Sequence, residues 1–109
     1  MNGSDFRALL GDTYQRLIDL TDSKGAEYAH DADQLANFKR LGATLQLHPT
    51  VVLLVYLQKH LDAIVAYVAA TGRRESPVES EPISGRIDDA ILYLILLKAL
   101  IHDQDSVSD

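Results

Sequence analysis

The start of the last apolar segment carries charged residues at a spacing that could bind an anion. Residues 80–101 read SEPISGRIDDAILYLILLKALI, and a helix here presents Arg86, Asp89 and Tyr93 on one face because they are spaced i, i+3, i+7. We expect a turn at Glu81 to position the segment before the helix. Arg86 would then meet a phosphate near a helix N-terminus. Asp89 would orient that arginine or contact a ribose, and Tyr93 would complete the wall of the binding cleft.

A second group of polar residues lies on the preceding apolar segment, YLQKHLDAIVAY. At 100° per residue, Tyr56, Lys59 and His60 fall within one arc with Ala63 and Tyr67, and Asp62 lies at its edge. We expect Lys59 and Arg86 to face one cleft and to supply its affinity for anions.

A third group lies in residues 24–37, where Lys24/Tyr28 and Asp33/Asn37 are both i, i+4 pairs. If the three groups converge, they provide cations for phosphates, tyrosine rings such as Tyr28 and Tyr93 for stacking, and carboxylates or amides for ribose and base edges. The sequence therefore predicts a nucleotide-binding site made of twelve residues: Lys24, Tyr28, Asp33, Asn37, Tyr56, Lys59, His60, Asp62, Glu81, Arg86, Asp89 and Tyr93. No catalytic residue and no metal ligand is assigned.

The same residues also have a purely structural interpretation. Lys59 and Asp62 form a potential i, i+3 ion pair on a solvated strip, as do Arg86 and Asp89. Asp88 and Asp89 would also stabilise the positive end of a helix dipole.

Composition limits the class of protein. At 109 residues the chain is long enough for a single domain, residues 1–109, with one modest core. Its net charge of −6 argues against nucleic acid or an anionic membrane surface as partner. The lack of cysteine excludes disulfides and thiolate chemistry. The N-terminus has no signal-peptide pattern, and the apolar runs at 51–57 and 90–101 are shorter than the roughly 20 residues of a membrane span. We expect a soluble cytoplasmic protein.

Helical spacing of apolar residues predicts an all-α, compact antiparallel bundle of about four helices. The first should begin near Ser4 as N-cap and bury an apolar face, and Gly25 could break or bend it. That face is Phe6, Leu10, Leu17 and Leu20. The second should run from about 33 to 46 and bury Leu35, Phe38, Leu41 and Leu45.

Two further helices follow. The third should begin at Pro49, which suits a first helical position, and end at Gly72. A flexible loop of about 72–84 then leads to the fourth helix, expected from Ser84 to about His102, with Leu94 in the core. Residues 103–109 should be a frayed acidic tail.

The third and fourth helices are apolar around most of their circumference. A helix that is apolar on all sides must be buried on all sides, and four short helices cannot enclose two such cores. We therefore expect a homo-oligomer, a dimer or larger. The alternative is that the third and fourth helices pack in the middle of the bundle and the first two helices cover them.

These segments also resemble known families. The patterns are K-x-x-x-Y-A…D-x-x-x-N-F from Lys24 to Phe38, Y-L-x-K-H-x-D-x-I from Tyr56 to Ile64, and S-E-P-I-x-G-R-I-x-D-x-x-x-Y from Ser80 to Tyr93. Over about residues 24–101 the chain resembles small phage-encoded all-α proteins and, more distantly, the nucleotide-modification-associated and MazG-like all-α NTP pyrophosphatases. The resemblance implies a phage protein in the host cytoplasm that captures a nucleotide or nucleotide-derived signal, with a possible role against host defence.

The chain departs from the pyrophosphatases at their metal-binding residues. Those enzymes hold magnesium with E-E-x-x-E and E-x-x-D helices, and neither motif occurs here. We therefore expect sequestration rather than hydrolysis, and no cofactor. Two alternatives stay open: a magnesium-dependent pyrophosphatase using Glu27, Asp33, Glu81 and Asp89, and a protein–protein interaction module.

Overall fold

The computed structural model describes residues 1–27, 35–79 and 81–108, with side chains for 1–22, 35–79 and 81–103. It contains four helices: α1 (Gly3–Glu27), α2 (Ala36–Leu45), α3 (Pro49–Gly72) and α4 (Ile83–Ser108). All regular structure within the described ranges is helical, which confirms the all-α prediction and its four helices. The chain divides into two compact units, Met1–Gln34 and Leu35–Asp109.

The first unit contains α1. The expectation that Ser4 caps this helix is wrong, because Asn2 is the cap: its Oδ1 accepts a hydrogen bond from the backbone N of Asp5 at 2.8 Å. The helix continues past Gly25 to Glu27 without a break. Of the apolar face predicted for it, Leu17 is buried whereas Phe6 and Leu10 are exposed.

The second unit begins with α2, which ends in a left-handed residue. Gln46 has φ 57°, Leu47 N donates to Gly42 O at 2.9 Å, and Gln46 N donates to Ala43 O at 3.4 Å. These two bonds define a Schellman motif, which satisfies carbonyls at the helix end. The turn leaves Leu45 58% exposed, so its predicted burial is wrong, whereas Leu35 and Phe38 are buried as expected.

The third helix has the predicted bounds. The His48 side chain caps its N-terminus by accepting from Thr50 N at 3.2 Å, and Pro49 takes the first helical position. At the other end Arg74, with φ 59°, is the left-handed residue of a second Schellman motif: Glu75 N donates to Ala70 O at 2.9 Å. Glycine favours such a conformation, yet both helix ends place longer side chains there.

The fourth helix begins one residue earlier than expected and is longer. Its first backbone N, that of Ile83, donates to Oε1 of Glu79 at 3.1 Å, so a carboxylate caps the positive end of the helix. The C-terminal end lies at Ser108, inside the acidic segment that was expected to fray after about His102.

Helix α3 packs against both α2 and α4. Residues early in α3 lie beside residues late in α4, so this pair is antiparallel. The core consists of Leu35, Phe38, Val52, Leu53 and Leu100, and Leu53 is fully buried. The predicted core position of Leu94 is wrong, because this side chain is 51% exposed on the outer face of α4.

Large apolar side chains are exposed along both long helices of the second unit, Leu54 and Val65 on α3 and Ile87 and Ile95 on α4 among them. Helix α3 is also long and apolar enough to cross a membrane, judged by length and composition alone. The oligomer expected from this apolar character stays a prediction.

Candidate functional site

The central polar residue of the second unit is Arg86, in the first turns of α4. It is 8% exposed, which is unusual for an arginine, and its backbone N donates to Pro82 O at 3.1 Å. Its Nη1 lies 3.4 Å from Nδ1 of His60 on α3, and its Nε lies 3.7 Å from Oε2 of Glu81. The guanidinium thus joins α4, α3 and the segment that connects them.

An aromatic group lies beside the arginine. The ring of Tyr93 has its centroid 5.3 Å from His60, 6.4 Å from Tyr56 and 6.3 Å from Phe38. The two tyrosine rings are nearly parallel at 10°, whereas Phe38 meets both of them edge-on. Such ring pairs contribute to stability beyond their buried area, and they hold His60 in place against Arg86.

The environment of Tyr93 favours its neutral form. Burial is the largest cause that raises the pKa of Tyr93 above its ordinary value of 10.0, and the nearby Asp89 carboxylate and Tyr56 add to it. The predicted face of Arg86, Asp89 and Tyr93 therefore exists in the structure. Within this face, the ring of Tyr93 packs against other rings of the protein itself.

A cleft of about 70 Å³ lies between α3 and the start of α4, and Arg86 forms part of its wall. A more open depression of about 430 Å³ adjoins it, and Tyr67, Glu79, Glu81 and Ile83 line both. The remaining wall of the cleft is apolar, with Ala63, Ala66 and Val78. The polar side chains of the cleft wall are therefore a buried cation, two carboxylates and one tyrosine, and Ser84 adds a hydroxyl in the depression.

The nine predicted site residues whose side chains are described fall into two sets. His60, Glu81, Arg86 and Tyr93 lie together with Tyr56 and Asp89, as the contacts above show. Three others are exposed elsewhere: Asn37 accepts from Arg40 at 2.7 Å, Asp62 accepts from Gln58 at 2.7 Å, and Lys59 points to solvent. Lys59 is not part of the cleft wall as far as the described side chains go, so its expected role beside Arg86 has no geometric support.

The rest of the predicted site cannot be placed. The side chains of Lys24, Tyr28 and Asp33 lie outside the described residues, although the backbone at Lys24 belongs to α1.

Sequence reasoning missed two features of the cleft. Glu79 both caps α4 and lines the cleft, and its signal was an acidic residue four positions before the first helical residue. The small side chains of Ala63 and Ala66 leave room for the cleft between α3 and α4. In the sequence, two small residues spaced i, i+3 on α3 could have indicated this space.

No group of three or more histidine, aspartate or glutamate residues that could hold a metal occurs among the side chains described. Glu27 and Asp33, two members of the alternative magnesium set, lie outside those side chains.

Comparison with known proteins identifies no relative. No family model matches the chain, and no curated protein or solved structure matches it. The resemblance described from the motifs therefore stays an expectation.

Proposed function

We propose that this protein binds and sequesters a phosphate-bearing nucleotide or nucleotide-derived signal at the cleft between α3 and α4. The observation that carries the proposal is Arg86, a nearly buried guanidinium in the wall of a cleft that opens into a wider depression. A planar guanidinium donates two parallel hydrogen bonds to a phosphate, which makes it the natural anchor.

The contact between Arg86 and Glu81 is compatible with ligand binding. At 3.7 Å the ion pair is longer than the roughly 2.7–2.9 Å of a charge-assisted hydrogen bond. The Glu81 side chain is also about half exposed. A phosphate that approaches Arg86 would displace this carboxylate into solvent, and Glu81 would act as an internal competitor until the ligand arrives.

The shape of the depression suits a ligand larger than phosphate. Its volume of about 430 Å³ lies within the roughly 300–1,000 Å³ of small-molecule sites. Tyr67 lines both the depression and the cleft, whereas Tyr93 packs against three rings of the protein. We therefore assign ring stacking on a base to Tyr67, and the positioning of His60 and Arg86 to Tyr93.

The test is calorimetric titration with a panel of nucleoside mono-, di- and triphosphates, together with mass spectrometry of small molecules that copurify with the protein. Hydrogen bonds to charged groups contribute roughly 1.5–3 kcal/mol. Arg86→Ala should therefore lower affinity by about tenfold to over a hundredfold. Arg86→Lys keeps the charge but removes the planar guanidinium that donates two parallel hydrogen bonds, so the loss of affinity should be smaller than in Arg86→Ala.

The matched control is Arg73→Ala. Arg73 is exposed and its Nε lies 2.9 Å from Glu75, away from the cleft wall. Its loss should leave affinity unchanged. Nucleotide affinity in Arg86→Ala equal to that of Arg73→Ala, with circular dichroism unchanged in both, would remove Arg86 as the anchor. Release of pyrophosphate from a nucleoside triphosphate in the presence of magnesium would instead favour the pyrophosphatase alternative.

A further inference from the structure

His60 contacts Arg86 but is not part of the cleft wall formed by the described side chains. Its Nδ1 lies 3.4 Å from Nη1 of Arg86. A guanidinium offers only N–H donors, so Nδ1 is the acceptor, and the imidazole that makes this contact is neutral with its proton on Nε2. A protonated imidazole has no acceptor for the arginine and would place a second cation beside it. The contact therefore depends on the charge of His60.

The surroundings of His60 also accommodate the charged form. The side chain is half-buried, so solvent reaches it. The ring of Tyr93 has its centroid 5.3 Å from that of His60 and is tilted by 31°. This distance is within the roughly 6 Å at which an aromatic ring attracts a cation. The neutral imidazole thus has Arg86 as its partner, and the imidazolium has Tyr93.

The titratable and charged groups around His60 come from α4, the connecting segment and α3. They are Arg86 and Tyr93 on α4, Asp89 through its effect on Tyr93, Glu81 through its 3.7 Å contact with Arg86, and Tyr56 on α3. Helix α2 contributes the ring of Phe38, which does not titrate. The charge of Arg86 disfavours a proton on His60, and the charge of Glu81 favours it. An anion with two or more charges in the place of Glu81 favours the proton more strongly than the single carboxylate does.

We infer that His60 is a positioning residue that couples anion binding at Arg86 to the uptake of a proton. The inference rests on the proposed function, because it takes Arg86 as the anchor for phosphate. Without ligand, neutral His60 accepts from Arg86 and holds the guanidinium at the cleft wall. When a phosphate group replaces Glu81 at the guanidinium, its negative charge offsets the repulsion between the two cations. His60 then takes a proton from solvent at Nδ1.

This coupling makes the affinity for anions depend on pH. Histidine side chains change charge between about pH 5 and pH 8. A charge within about 4–6 Å of an ionisable group changes its proton affinity by roughly tenfold to a thousandfold. Coupling between two ligands is reciprocal, so the proton changes the affinity for the anion by the same factor. Affinity should therefore rise as pH falls. We expect a rise of about tenfold, because the anion contacts the arginine rather than His60 itself.

The test is NMR titration of the full chain with inorganic sulfate at about pH 5.5 and about pH 8, at constant ionic strength. Sulfate keeps both of its charges over this range, so a change in affinity comes from the protein. We expect sulfate to bind about tenfold more tightly at the lower pH. Sulfate added between these two values should also convert the ¹⁵N signal of unprotonated Nδ1 in His60 to that of the protonated ring.

Three variants isolate the imidazole. His60→Asn places an amide oxygen near the position of Nδ1, so it keeps an acceptor for Arg86 and takes up no proton. Its sulfate affinity at pH 8 should fall less than that of His60→Leu, which offers no acceptor, and its gain at low pH should be smaller than in the wild type. Changes in the carboxylates of the cleft are common to the wild type and His60→Asn, so the difference between their pH profiles reports the imidazole. His102→Asn is the control, an exposed histidine of α4 that should keep the wild-type profile.

The outcomes separate this inference from the proposed function. Equal pH profiles in the wild type and His60→Asn, or weaker sulfate binding by the wild type at low pH, would overturn the coupling. If sulfate binding is coupled to His60 but nucleoside triphosphates bind no more tightly than sulfate, the proposed function fails and the coupling stands. If nucleoside triphosphates bind tightly with the same profile in His60→Asn, the coupling alone fails. No sulfate binding, or binding that Arg86→Ala leaves unchanged, would overturn both.

Discussion

Arg86 of α4 and Glu81 of the connecting segment lie 3.7 Å apart, measured from Nε to Oε2, with the arginine buried and the glutamate half exposed. The carboxylate therefore holds the position that an anionic ligand would need. Replacing it with an amide keeps the shape and removes the charge. The effect of this replacement on ligand affinity therefore distinguishes an arginine that binds the ligand from one that only stabilises the fold.

We expect Glu81→Gln to strengthen binding of a nucleoside triphosphate by about threefold to tenfold, because the internal competitor loses its charge. Calorimetric titration measures the change. Glu75→Gln is the control, since Glu75 pairs with Arg73 away from the cleft wall and should leave affinity unchanged. Weaker binding in Glu81→Gln would mean that the carboxylate contacts the ligand or positions Arg86 for it.

The core prediction compares Leu53 with Leu94. Leu53 is fully buried, so Leu53→Ala should lower the free energy of unfolding by about 2–5 kcal/mol through lost burial and the cavity that remains. Leu94 is half exposed, so Leu94→Ala should cost much less. Urea denaturation measures both. Equal losses would show that the outer face of α4 is covered in solution.

Gly42 is needed where the chain turns from α2 into α3. A Cβ atom at this position would lie 2.6 Å from the carbonyl oxygen of Leu47, which is backbone and cannot rotate away. We expect Gly42→Ala to destabilise the protein by about 1–3 kcal/mol through this overpacking. Thermal unfolding measures the loss.

Gly85→Ala serves as the control for that substitution. A Cβ atom there would meet nothing within 4 Å, and Gly85 lies inside α4. Removing a helical glycine should then stabilise the protein by about 0.5–1 kcal/mol. If Gly42→Ala and Gly85→Ala changed the thermal stability equally, the close approach of the backbone at Gly42 would be contradicted.

The raised pKa of Tyr93 predicts how stability depends on alkaline pH. In the unfolded chain a tyrosine titrates near pH 10, and in the folded chain Tyr93 keeps its proton to higher pH. The stability that this difference contributes is present in full below about pH 10 and is lost as pH rises through the folded-state pKa.

Denaturation midpoints between pH 9 and pH 11 should therefore fall in the wild type and fall less in Tyr93→Phe. Absorbance of tyrosinate near 295 nm follows the titration directly. Tyr14→Phe is the control for the substitution itself, because Tyr14 is largely exposed on α1. A slope in Tyr93→Phe equal to that of the wild type would contradict a protected Tyr93.

The sequence by itself predicted four helices, because the spacing of apolar residues repeats with the helical period and Pro49 marks a clear start. It also predicted the shared face of Arg86, Asp89 and Tyr93, which needs only the geometry of one helix. Helix ends were less accurate. Asn2 rather than Ser4 caps α1, since two capping residues two positions apart compete for one helix end.

Only the tertiary structure decided which faces meet. Helices α3 and α4 are apolar on most sides, so their patterns do not show which side is buried, and Leu94 was placed in the core although it is exposed. For the same reason the sequence did not show that His60 and its neighbour Lys59 differ in role. His60 on α3 contacts Arg86 on α4, whereas Lys59 faces solvent. Periodicity places side chains on one helix, whereas packing between helices decides which of them form a site.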